Sequence, residues 1–139
     1  MAFREKSAWV MAALMVAAGL YYLNMVVSWS RNIGETALPT PILIAYVALV
    51  VIGSVVAQAT LGISSPREAN APADERERPL LDRAGNLSGI VLGFGAVTSL
   101  LHFLAHGDAY LLFHSIMGSL IISQIVEYVL QIMLLRRSA

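Results

Sequence analysis

Four stretches of this chain are each apolar over about the length a helix needs to cross a hydrocarbon layer, and they leave little else to fold. A core of ~30 Å takes about 20 residues, because a helix advances ~1.5 Å per residue. The stretches run at about 8–27, 42–63, 87–104 and 111–135. The third is the shortest, and the fourth is long enough to tilt or to project from the bilayer. Composition agrees. Of 139 residues 58% are hydrophobic and 13% charged, against roughly 25% charged in soluble domains. A small globule keeps too much surface exposed to hide that apolar content from water. The expectation is one all-α integral membrane domain over 1–139. It is an up-down-up-down four-helix bundle with a polar loop at about 64–86.

Arg4 and Lys6 precede the first stretch, as in a signal peptide, but the apolar run continues through Tyr21, Tyr22 and Leu23 to Val27. A signal core is usually only ~7–15 residues long and ends at a small-residue cleavage site. The first stretch therefore reads as a retained span. Orientation follows from the basic residues. Arg4, Lys6, Arg67, Arg76, Arg78, Arg83, Arg136 and Arg137 fall on one side of the four spans, and only Arg31 on the other. Positive residues stay on the cytoplasmic side, so both termini and the 64–86 loop are expected inside, in a plasma (inner) membrane. The two outer connections are short. Ser28 to Pro41 holds Gly34, Pro39 and Pro41, and Ala105 to Tyr110 holds Gly107 and Asp108. Short links join neighbouring antiparallel helices.

Several function classes fall away. Net charge is zero, which argues against nucleic acid as a partner. Cysteine is absent, which excludes disulfides, thiol redox chemistry and thiolate metal sites. There is no nucleophile–base constellation, phosphate loop or dinucleotide motif, so no catalytic role and no cofactor are expected.

The polar loop is the only sizeable charged segment. It ends in Asp74-Glu75-Arg76-Glu77-Arg78-Pro79-Leu80-Leu81-Asp82-Arg83-Ala84-Gly85-Asn86. Asp74 and Glu77 have capping-box spacing, while Pro79 disfavours a helical turn through Arg78. A helix restarting at Pro79 and running into the third span is expected. The Asp-Glu-Arg-Glu run, followed by Asp-Arg-Ala before a membrane helix, resembles a group of uncharacterised small prokaryotic four-helix membrane proteins. The likeness covers the four-span layout and, residue by residue, about Asp74 to Gly89. Such proteins are often encoded beside a helix-turn-helix regulator, so the resemblance implies a regulatory or partner-binding role. It carries over no activity, cofactor or catalytic residue. The plain reading of Asp74, Glu75, Arg76, Glu77, Arg78, Asp82 and Arg83 is a solvated connector. The functional reading is a docking surface for a cytoplasmic regulatory protein, and this leads here.

The alternative is a small proton- or cation-coupled transporter or channel using Glu127. A carboxyl group inside a span is costly unless protonated, paired or hydrated. Ser115, Ser119, Ser123, Glu127 and Gln131 recur every four residues and make one stripe, with Gln124 beside it. Ser54, Gln58, Thr98 and Ser99 are the expected partners on other helices. The plain reading is a hydrogen-bonded packing residue.

His102 and His106, four apart, lie near Asp108 and His114. They read as interfacial histidines rather than as a metal site, because such a pair recurs by chance. Gly85, Gly89 and Gly93 form a small-residue ridge. Its plain reading is packing within the monomer, and its functional reading is a homodimer contact. Ala13 with Ala17, and Gly53 with Ala57, make shorter ridges.

Overall fold

The structure, a computed structural model, describes residues 3–33, 40–72 and 74–138. Gly34 and Pro39 of the first outer connection lie outside them. Among the described residues the fold is all-helical: α1 (Phe3–Ile33), α2 (Thr40–Ser64), the one-turn α3 (Pro66–Ala69), α4 (Glu77–His106) and α5 (Ala109–Ser138). The four long helices are each long and apolar enough to cross a membrane.

Each long helix outruns its apolar stretch. Hydropathy marks where lipid touches the chain, whereas the backbone ladder continues through any residue that tolerates helix. Arg and Glu tolerate it well. Arg31 thus lies in the last turn of α1 rather than in a connection. The expected 64–86 loop shrinks to α3 and a short link, because α4 begins at Glu77, two residues before the expected restart. Pro79 sits in the first turn of α4, where its missing N–H deprives no carbonyl of a partner. The capping box does not form. The Asp74 carbonyl, rather than its side chain, accepts from the amides of Glu77 (2.9 Å) and Arg78 (3.1 Å).

At the other end of α4 the chain reverses in two residues. Gly107 adopts φ 70°, and its amide donates to the Phe103 carbonyl (2.7 Å). Only glycine adopts that left-handed conformation without a Cβ penalty. Asp108 then caps α5, its Oδ1 accepting from the Leu111 amide at 2.9 Å.

The helices pack in the order α2, α1, α5, α4, with the α4–α5 contact the most extensive. α2 and α4, at the two ends of that order, make no comparable contact with each other among the described residues. The main core sits between α1, α2 and α5: Ala18, Tyr22, Ile42, Tyr46, Met117 and Ile121. There the Tyr22 and Tyr46 rings meet edge to face at 5.5 Å. A smaller cluster joins Ala8 and Ala12 of α1 to Ile132 of α5.

Small residues set the close approaches, and one of them, Gly53, belongs to a ridge the sequence suggested. A Cβ at Gly19 would lie 2.9 Å from Ile121, and one at Gly53 2.8 Å from Leu14. A Cβ at Gly95 would run into Ser119. Gly85, Gly89 and Gly93 meet nothing within 4 Å, so the ridge does not pack inside the described chain. Ala13 and Ala17 are exposed, and the buried small residues of α1 are Ala8, Ala12 and Ala18.

Candidate functional site: a polar cavity at one end of the helices

The first two turns of α1 touch every other part of one end of the molecule. The Arg4 guanidinium lies 3.2 Å from Glu77 at the start of α4 and donates to the Ala71 carbonyl in the link. Glu5 pairs with Arg136 near the end of α5 at 2.7 Å. That guanidinium also lies over the Trp9 ring, 5.4 Å from its centroid. Ser7 and Gln58 of α2 exchange two hydrogen bonds, of 3.2 and 2.8 Å.

Behind these contacts is an open cavity of about 740 Å³ shared by all four long helices. Arg4 and Ser7 line it from α1, Gln58 from α2, Asp82 and Asn86 from α4, and Glu127 and Gln131 from α5. It lies where α2 and α4 fail to meet. Two carboxyl groups face one guanidinium that is already engaged by Glu77, so the lining favours cations.

Glu127 is lightly held for a carboxyl group at such a place. Gln131 donates to its Oε1 at 3.2 Å. The Ser88 hydroxyl is 3.4 Å from Oε2 but only 2.8 Å from the Gly85 carbonyl. A hydroxyl has one proton, and the shorter contact takes it. Glu127 therefore keeps most of its acceptor capacity, which an ionised carboxylate extends over about four lone-pair directions. The chemistry available to it is exchange of a proton or coordination of a small cation.

The structure brings Glu127, Gln131 and Gln58 of the expected intramembrane set into this cavity. It does not bring Ser123 or Gln124. Ser123 is buried and donates to the Leu120 carbonyl at 2.9 Å, and Gln124 is exposed on the outer surface of α5. Gln58 bonds Ser7 rather than Glu127. Ser54, Thr98 and Ser99 spend their hydroxyls on carbonyls of their own helices. The four-residue repeat drifts around a helix of 3.6 residues per turn, so a stripe this long cannot keep one face. Of the charged segment, Asp82 lines the cavity and Glu77 is tied to Arg4. Asp74, Glu75, Arg76 and Arg83 are exposed. Arg4, Ser7 and Asn86 are site residues that sequence reasoning missed, since charge near the first span reads as an orientation signal.

The histidines separate. The His102 and His106 rings stack at 4.2 Å on the exposed side of α4. His114 turns to α1, its Nδ1 2.7 Å from the Tyr22 hydroxyl. Among the described residues, no group of three His, Asp or Glu side chains is placed to hold a metal ion. Comparison with known protein families, with curated proteins and with solved structures gives no match to this chain.

Proposed function

We propose that this chain is a multi-pass protein of a prokaryotic plasma membrane that binds a small cation or a proton at Glu127 and carries it between compartments. The observation that carries the reading is the under-satisfied Glu127 carboxyl facing a polar cavity of about 740 Å³. The cavity is open at one end, while the core around Tyr22, Tyr46 and Ile121 lies between it and the other. A site with one open side suits carriage by alternating exposure better than a continuous pore.

The bundle runs up, down, up and down with both termini cytoplasmic. Contacts between the start of α1 and the ends of α2 and α5 support this, as does the collection of basic residues there. The test is flux into liposomes containing the purified protein. Glu127→Gln removes the charge and keeps the shape, and it should abolish proton or monovalent cation flux while leaving the thermal unfolding midpoint within a few degrees. An unchanged flux sinks the proposal. A variant that loses its fold assigns Glu127 to packing.

A second reading keeps the cytoplasmic partner that the resemblance implies. Its support is that Asp74, Glu75, Arg76 and Arg83 stand exposed around the start of α4, beside a link held to α1 by Arg4. Charge reversal at Arg76 and Arg78 should abolish crosslinking to a cytoplasmic protein in native membranes and leave the bundle folded. Unchanged crosslinking makes the segment a connector.

A further inference from the structure

The end of α4 away from the polar cavity carries two histidines side by side. His102 and His106 are one turn apart, both exposed, with their rings stacked at 4.2 Å and 17° from parallel. α4 has 30 residues and His106 is its last. The helix is ~45 Å long, so its final turn passes beyond a ~30 Å hydrocarbon core into the headgroup layer, where water and ions reach it.

Four-residue spacing alone does not make this pair a site, but the local hydrogen bonding prepares it as one. His106 Nδ1 lies 3.2 Å from the His102 carbonyl oxygen. A carbonyl only accepts, so Nδ1 carries the proton and Nε2 of the neutral ring keeps its lone pair. A metal-ligating histidine has this arrangement, its other nitrogen donating to a carbonyl or carboxylate that fixes the ring. Metal–imidazole bonds are ~2.0–2.1 Å, so neighbouring ligand nitrogens sit ~3 Å apart on the ion. Rings already 4.2 Å apart converge by turning about Cβ–Cγ, which is a soft torsion. The negative end of the α4 dipole adds attraction for a cation.

The donor set selects the ion. Asp108 spends Oδ1 on the Leu111 amide, and His114 spends Nδ1 on Tyr22. The site is therefore two imidazoles, with water completing the shell. Zinc sites use three or four protein ligands. Divalent copper takes tetragonal nitrogen and oxygen ligands, and it stands highest in the affinity order of the divalent first-row metals. We propose that His102 and His106 bind one copper(II) ion through both imidazoles, at a surface site independent of Glu127.

The test is titration of the full chain, purified in detergent without a histidine tag, with copper(II) chloride, followed by electron paramagnetic resonance. One ion per chain should bind, with the spectrum of two equatorial imidazole nitrogens, and zinc(II) should bind more weakly. His102→Ala and His106→Ala should each weaken copper binding about tenfold, the loss of one arm of a chelate. Both side chains are exposed, so the unfolding midpoint should not move. A third variant combines His106→Ala with Leu104→His, which keeps the number of histidines but puts the second ring on another face of α4. It should not recover binding. Copper held equally by the single variants, recovery in the third, a one-nitrogen spectrum, or zinc bound as tightly would each overturn the proposal.

Discussion

Glycine at position 95 does what the glycines at 85, 89 and 93 do not. A methyl group at Gly95 collides with Ser119, whereas one at Gly89 enters open space. Gly95→Ala should therefore destabilise the α4–α5 pair by about 1–3 kcal/mol, the usual cost of overpacking. Gly89→Ala should be neutral or slightly stabilising, because alanine favours helix. Unfolding of both variants in one detergent is the check, and equal midpoints would remove the close approach at Gly95. Spacing made the three-glycine ridge conspicuous in the sequence. Which glycine meets a neighbour depends on the rotation of α4 about its axis, and four-residue spacing does not encode that rotation. Glu127 is the opposite case. Its cost in an apolar helix was plain from the sequence. The approach of Ser88 to Glu127 was not, because seryl hydroxyls in apolar helices usually bond their own backbone, as Ser88 does.

The two-residue reversal between α4 and α5 is where local chemistry and packing agree most closely. Gly107 ends one helix and Asp108 starts the next, so the most extensive interface in the molecule is closed by two caps. Asp108→Ala should cost about 1 kcal/mol of stability, and Asp108→Asn should restore most of it, since asparagine caps as well. A thermal melt of the three proteins decides, and equal loss in both variants would deny the cap. The Gly-Asp turn was legible because it rests on two residue types with one mechanism each. The start of α4 was less so. Pro79 announces a break, but a proline in a first turn and a proline that ends a helix look alike until the upstream hydrogen bonds are known.

For the whole molecule, the number of long helices and their apolar extents were readable because lipid imposes length and composition together. The packing order was not, since hydropathy says that a face is apolar without saying which helix covers it. With no native cysteine, topology can be mapped by single cysteines at the two ends of α4. Glu75→Cys should react with an impermeant thiol reagent only from the cytoplasmic side, and His106→Cys only from the opposite side. Reaction of both from one side would refute the proposed threading. The packing order also bears on biosynthesis. α1 is made first, yet Ala8 and Ala12 share a buried cluster with Ile132 of α5, and Ala18 shares one that includes Met117 and Ile121 of α5. At ~5–20 residues per second some 100 residues take roughly 5–20 s to follow. For that interval the nascent α1–α2 pair waits in the bilayer with its best packing surface bare and Glu5 without Arg136. A ribosome that stalls before α5 leaves a product in which the faces of both α1 and α4 stay bare, a surface the chain with α5 in place does not show.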